Sequence, residues 1–305
     1  MEVAEADRTA FVSGIAAAHR EKVADANRDG FLVGLIGRGI SGSRSPRMHV
    51  LEGERLGAVC SYELLDFDTY GMNDSDLGAV LDAAEKQGFS GLNVTHPFKQ
   101  SIIPHLTDMA PEAASIGAVN TVVFRHGRRF GHNTDAWGFA EGIRQGLAGA
   151  SMDQVLLFGA GGAGAAVGYA LLELGSHCLD IYDPQHTRAV QLADRLTQHF
   201  GRTVVPVSDP MAALRRATGV VNATPIGMDK YPGVPFDTKA LQGQWVADIV
   251  YFPAETELLR QAKERGCRTS PGMWMAIFQA VKAFEHFTQI VPDASAMARH
   301  FETAA

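Results

Sequence analysis

Short apolar runs and amphipathic stretches take turns along almost the whole chain. Phe31-Leu32-Val33-Gly34-Leu35-Ile36 reads as a buried strand ending at Gly37. A Gly- and Ser-rich loop, 37–45, follows, and Pro46 opens a helix through about Leu56. Residues 58–65 alternate as a second strand, 77–87 form an amphipathic helix ending near Gly88, and 91–95 form a strand cut off by Pro97. The run 118–124 predicts a strand that turns at His126-Gly127 into 128–131, and a helix is expected from about Ala136 to Gly146. From Val155 onward strands (155–159, 178–183, 203–207, 219–224, 245–251) alternate with helices (to 174, 187–200, 210–217, 256–265). That order implies an α/β protein whose second half is a parallel, doubly wound sheet. A last helix spans 273–288, where Trp274, Phe278, Val281 and Phe284 or Glu285 fall near one stripe that reads as core, with Gln279 off its centre. Residues 10–23 predict a short amphipathic helix whose role is not legible.

The most informative stretch is Val155-Leu156-Leu157-Phe158-Gly159-Ala160-Gly161-Gly162-Ala163-Gly164. Gly159, Gly161 and Gly164 stand in G-x-G-x-x-G register between an apolar strand and an apolar helical run. A helix N-terminus offers unpaired N–H groups and a positive dipole end to a pyrophosphate, and glycines let the backbone turn and approach it. The motif alone is weak in a chain with 32 glycines. Its context is stronger, because a second apolar run, Leu179-Asp180-Ile181-Tyr182, ends in Asp183, about twenty residues past the last glycine. A carboxylate there can accept hydrogen bonds from a ribose 2′-hydroxyl. The stretch is read as a dinucleotide site.

Composition narrows the remaining classes. A length of 305 residues suggests about two domains, with the boundary expected at the helix 136–146. The net charge of −7, with no Lys/Arg run longer than two, argues against a nucleic-acid partner. Cys60, Cys178 and Cys267 are far apart and form no C-x-x-C pair, which fits a reducing cytoplasm. The eleven histidines show no metal-ligand spacing, so no metal is expected. No apolar run approaches the ~20 residues of a membrane span, and residues 1–30 lack the apolar core of a signal peptide.

Several polar side chains have two readings. Ser45 before Pro46 suits a helix N-cap; Ser43 has no such reason, and two hydroxyls on one loop suit a carboxylate or polyhydroxy ligand. Asn93 and Thr95 point to the same side of their strand, so either a core network or a ligand supplies their partners. A lone Lys99 is by default a solvated surface charge. Asp135 is a good N-cap for the helix that follows, or else pairs with Lys99 as a charge couple that tunes proton transfer.

Taken together the motifs resemble the shikimate dehydrogenase family over residues 31–290. The pieces are Gly37…Ser43-Arg44-Ser45-Pro46…His49, Gly91-Leu92-Asn93-Val94-Thr95-His96-Pro97-Phe98-Lys99, Gly117-Ala118-Val119-Asn120-Thr121, Gly131-His132-Asn133-Thr134-Asp135, the glycine turn, Asn222-Ala223-Thr224-Pro225-Ile226-Gly227-Met228, and Gln279. The resemblance implies two α/β domains with the active site in the cleft between them. The expected parts are an N-terminal extension (1–30), a substrate-binding catalytic domain (31–135 with a C-terminal helix of about 273–300) and a Rossmann domain for NAD(P) (136–272). It further implies that Ser43 and Ser45 hold a substrate carboxylate. Thr95, Lys99, Asn120, Asp135 and Gln279 would hold ring hydroxyls, with Asn93 in support, and Tyr251 would also bind the substrate. Lys99 and Asp135 resemble the family's catalytic pair, which replaces the surface reading of Lys99. The cofactor would take Gly159, Ala160, Gly161, Gly162, Ala163, Gly164 and Asp183, with its nicotinamide near Thr224, Pro225, Gly227, Met228, Val250, Gly272 and Met275.

Departures from the family pattern refine the expectation. Gly39, Gly42 and Val50 stand where the family usually has Pro, His and Asn, and Tyr251-Phe252-Pro253-Ala254-Glu255-Thr256-Glu257 replaces a Tyr-x-Pro-x-x-Thr-Pro run. Asp183-Pro184-Gln185-His186 replaces an Asn-Arg-Thr run whose Arg takes the NADP 2′-phosphate; a carboxylate repels that phosphate and accepts from a free hydroxyl. These changes look like the NAD-preferring quinate/shikimate dehydrogenase subgroup, which serves quinate catabolism, whereas biosynthetic members serve aromatic amino acid synthesis. The expected substrate is a small cyclic hydroxy acid and the expected cofactor NAD rather than NADP, in a cytoplasmic monomer or homo-oligomer. The alternatives are an aminoshikimate or aminoquinate dehydrogenase, and a ligand-sensing homologue without catalysis.

Overall fold

The computed structural model describes residues 5–302, with side chains from Ala10 onward. The chain divides into two compact units, one of Met1–Ala114, Ala118–Thr134 and Ala280–Ala305, the other of Ser115–Gly117 and Asp135–Gln279.

The first unit begins with helix α1 (Glu5–Ala26) and then builds a mixed sheet from β1 (Gly30–Gly37), β2 (Val59–Asp66), β3 (Gly91–Val94), β4 (Asp108–Met109), β5 (Thr121–Arg125) and β6 (Arg128–His132), in the order β2-β1-β3-β5-β6-β4. β1 runs parallel to β2 and β3, and β5 is antiparallel to β3 and β6. Helices α2 (Ser45–Arg55), α3 (Leu77–Lys86), α4 (Phe98–Ser101) and α5 (Pro111–Ile116) connect the strands. β1 is apolar throughout because both its faces are covered. Leu32 and Ile36 join Leu65, Phe67, Leu81 and Leu92 in one cluster, while Val33 and Leu35 join Tyr62, Val123, Ala283 and Phe287 in another. The β5–β6 hairpin turns on His126 (φ 52°) and Gly127 (φ 67°), the paired left-handed residues that a two-residue turn of this twist needs.

The stretch 10–23 lies within α1, and it has a role. Val12 and Ala16 are buried in the Leu32–Ile36 cluster, Phe11 stacks on Tyr70 at 4.2 Å, and His19 Nδ1 lies 2.8 Å from Ser61 Oγ.

The second unit holds β7 (Gln154–Phe158), β8 (Cys178–Tyr182), β9 (Thr203–Pro206), β10 (Gly219–Asn222), β11 (Trp245–Asp248) and β12 (Thr269–Ser270), all parallel, in the order β12-β11-β10-β7-β8-β9. The helices are α6 (Thr134–Gly146), α7 (Gly162–Glu173), α8 (His186–Phe200), α9 (Pro210–Leu214), α10 (Glu257–Glu264), α11 (Met273–Thr288) and α12 (Ala294–Glu302); from Ala280 onward α11, and all of α12, belong with the first unit. The chain enters at β7, winds outward to β9 and returns to β10 on the other side of β7. That places a topological switch point between β7 and β10. α7 is apolar all round because its middle, from Gly164 to Leu172, is buried.

Some expectations shift. The strand foreseen at 118–124 begins only at Thr121, because Val119 N–H bonds to Lys99 O (2.8 Å) instead of a ladder partner. The break foreseen at residue 273 falls at 280, since Gly138 of α6 leaves room for the backbone at Met275 and Gln279, and Trp137 meets Phe278 edge-on. Two-residue strands β4 and β12 have no run long enough to foresee. Among the described residues no helix is long and apolar enough to cross a membrane.

Candidate active site

In the first unit a buried polar network runs across the carboxyl end of the sheet. Asn93, at the end of β3, accepts from Tyr62 Oη–H at its Oδ1 (2.9 Å) and donates through Nδ2 to Thr121 Oγ1 (3.0 Å) and Asn120 O (3.4 Å). Asn120 Oδ1 accepts from Thr134 N–H (2.8 Å), and its Nδ2 donates to Thr134 Oγ1 (3.0 Å). Asn93, Asn120, Thr121 and Thr134 are all buried. A core network therefore supplies the partners of Asn93, and both its N–H bonds are committed within the unit. Tyr62, which sequence reasoning missed, is buried, and that burial pushes the phenol pKa strongly up. Its signal was only one inward position in an alternating strand.

The loop before α2 corrects one expectation. Ser45 is not the N-cap: it is the first helical residue, Arg44 occupies the cap position without a side-chain bond, and Ser45 N–H donates to Ser43 Oγ (3.3 Å). Both serines are half-buried. His49, one turn into α2, is 1% exposed, with Nδ1 3.0 Å from Ser45 O and Nε2 lacking a partner. Burial lowers its pKa to about 4.

Thr95 closes the strand end, its N–H on Ile36 O (3.0 Å) and its C=O accepting from Phe98 N–H (2.8 Å), which starts α4 and sets the half-buried Lys99 in that short helix. Asp135 is buried at 6% exposure. It lies in the first turn of α6, which starts at Thr134, and so does not cap that helix as expected. Gln279 turns back on its own helix, donating to Ala276 O (2.9 Å), and Tyr251 is 40% exposed.

In the second unit the glycine turn has the form that the motif foretold. Gly159 ends β7 with φ +99°, and a Cβ there would lie 2.8 Å from Ala223 O, across the switch point. A Cβ on Gly164 would lie 2.1 Å from Gly159 O, so only glycine lets α7 pack onto the strand end. Gly161 is the N-cap of α7, with no side-chain cap, and open space surrounds the place of its missing Cβ. Gly162 and Ala163 begin the helix. These features fit a pyrophosphate seated on free helix N–H groups. Asp183, just past β8, accepts from Ala160 N–H at Oδ2 (2.9 Å) and from Gln185 N–H at Oδ1 (2.8 Å), so the carboxylate stands beside the glycine turn with lone pairs to spare.

The loop after β10 holds Thr224, Pro225, Gly227 (φ +109°) and the exposed Met228. Asn222 anchors it: Oδ1 accepts from Thr224 N–H (3.1 Å) and Thr224 Oγ1–H (2.6 Å), while Nδ2 donates to Ile226 O and to Asp248 Oδ1 (both 2.9 Å). Asp248, also missed from sequence, is 2% exposed and accepts further from Val250 N–H (3.0 Å) and Thr256 Oγ1–H (2.7 Å). Its signal was an acid closing the apolar strand Trp245-Val246-Ala247 at the carboxyl edge of the sheet. Gly272 lies against this turn, where a Cβ would meet Ile249 C at 2.4 Å, and Val250 and Met275 are buried.

Comparison with known proteins shows the family to which the chain is similar. A family model described as the shikimate dehydrogenase substrate binding domain matches residues 35–122. The chain is 47% identical to a shikimate dehydrogenase (NADP(+)) of Streptomyces avermitilis over 274 residues, 88% of this chain and 94% of that one. It is also 47% identical to a quinate/shikimate dehydrogenase (NAD(+)) of Corynebacterium efficiens, over 90% of this chain and 99% of the relative. The solved structure of a quinate dehydrogenase from Corynebacterium glutamicum in complex with NAD superposes with a TM-score of 0.87 at 45% identity, covering 90% of this chain and 99% of that one. With this similarity running nearly end to end, the chain belongs to the shikimate dehydrogenase family.

Proposed function

We propose that the protein is an NAD-linked dehydrogenase that interconverts the ring hydroxyl and ketone of quinate or shikimate. The observation that carries the choice of NAD is the seat of Asp183, whose carboxylate is fixed beside the glycine turn by Ala160 N–H and Gln185 N–H. A negative group held there favours a free ribose hydroxyl over a 2′-phosphate. NAD, when bound, supplies the hydride acceptor.

Everything else falls to the chain's own side chains. Ser43, in the loop before α2, and Ser45, at the first position of that helix, bind the substrate carboxylate. Thr95, Asn120, Asp135, Tyr251 and Gln279 orient the ring, and the Tyr62–Asn93–Thr121 bonds keep the strand ends from yielding. Lys99 exchanges the proton of the hydroxyl that becomes a ketone, with Asp135 as the second member of the catalytic pair. Three free cysteines fit a cytoplasmic setting.

Steady-state kinetics with quinate and shikimate, each against NAD and NADP, test the reading. Turnover with both acids and a higher kcat/KM for NAD is expected; no turnover with either acid overturns it.

A further inference from the structure

The second unit contains a buried carboxylate that the proposed reaction does not use. Asp248 closes β11 and accepts from three separate segments: Asn222 Nδ2 at the start of the 222–228 loop, Val250 N–H in the next turn, and Thr256 Oγ1–H at the cap of α10. Thr256 in turn receives Leu259 N–H (3.4 Å), and the place of a Cβ on Gly227 lies 3.5 Å from Thr256 and 3.7 Å from Asp248 Oδ2. The neighbours that face the carboxylate from β10, from the 249–256 turn and from α10 are an amide, a backbone N–H and a hydroxyl, all neutral. Gly272 is wedged on Ile249 and Val250, so the 272 turn rests on the same support.

We propose that Asp248 is a positioning residue for the pyridine-ring end of the cofactor: its carboxylate locks the 222–228 loop, residue 250 and the α10 cap into one surface. This inference rests on the cofactor reading given above. A single acceptor with two oxygens suits the task because all three partners are donors, and bonds to a charged acceptor are the stronger kind. Burial raises its pKa to about 6, against the pull of the bonds from Thr256, Val250 N–H and Asn222. The lock therefore loosens as pH falls through about 6, when the carboxyl takes a proton and one oxygen stops accepting freely.

Two variants test it. In Asp248→Asn the carbonyl can still receive Asn222 and Val250, but its amide meets the Thr256 hydroxyl and the charge is gone. Thr256→Val keeps the shape and removes one donor. Both should raise Kd and KM for NAD, by roughly tenfold for Asp248→Asn, with KM for the acid substrate nearly unchanged. In the wild type, NAD affinity measured by calorimetry should weaken below about pH 6, and that acid limb should flatten in Asp248→Asn. Unchanged NAD affinity in both variants, equal losses for both substrates, or the same acid limb in Asp248→Asn would overturn the proposal. Wild-type protein that binds NAD with this pH dependence but turns over neither acid would leave it standing while removing the substrate reading.

Discussion

Replacing Asp183 by Asn tests how the protein chooses its cofactor. The carboxylate accepts one N–H at each oxygen, from Ala160 and from Gln185. Asn keeps one oxygen and must turn its amide toward one of those donors, so one hydrogen bond is lost at a cost of about 1–2 kcal/mol. That loss loosens the turn for both cofactors alike and cancels in their ratio. The charge does not cancel. A 2′-phosphate carries nearly two negative charges at neutral pH, and two unit charges on the order of 6 Å apart repel by about 0.7–3 kcal/mol for effective dielectrics of about 80 to 20. Asp183 is half-buried, which favours the middle of that range. Removing the charge should narrow the NAD-over-NADP ratio of kcat/KM by roughly ten- to hundredfold. The assay is initial-rate kinetics with both cofactors at saturating acid substrate, at low and at physiological salt, where screening should shrink the effect. A ratio that moves less than about threefold while KM for NAD rises would refute the reasoning, since geometry rather than charge would then set the preference.

Other perturbations reach the rest of the molecule. Lys99→Ala should lower kcat by roughly 10²–10⁴-fold, as removal of a general acid/base does; near-normal turnover at neutral pH would show that the proton travels elsewhere. Gly164→Ala places a Cβ 2.1 Å from Gly159 O, so it should destabilise the second unit by about 1–3 kcal/mol and abolish measurable NAD binding in calorimetry. An unchanged Kd would sink that account of the turn. His49, held near pKa 4 by burial, takes its proton more readily in the unfolded chain. Its contribution is thus full above about pH 6.5 and is lost as pH falls toward 4, by up to ~3 kcal/mol. The urea midpoint should drop over that window, less steeply in His49→Gln; equal slopes would assign the drop to other groups such as His286, also lowered to about 4.

Periodicity alone located most of the secondary structure, because strands covered on both faces read as apolar runs and the helices between them keep their stripes. The glycine turn was legible residue by residue, since steric demands at Gly159 and Gly164 leave no alternative to glycine. Helix starts were less legible. Ser45 and Asp135 both have the chemistry of a cap, yet each falls inside its helix, and nothing local distinguishes a cap from a first-turn residue. Tyr62 and Asp248 were invisible for a different reason: each acts through partners far away in the chain, Asn93 in one case and Asn222 in the other. A polar group that ends or interrupts an apolar strand is the trace such networks leave. It tells that a partner exists without telling which.

Helix α1 has a practical consequence. A protein trimmed to the span of the family match, beginning near residue 35, would lose Val12 and Ala16 from the first cluster, along with the Phe11–Tyr70 stack and the His19–Ser61 contact. The apolar side of α3 would then meet water, inviting self-association before any chemistry could be assayed. Anyone preparing shortened material should therefore read poor solubility as the loss of α1 from its place against α3, and keep the first thirty residues attached.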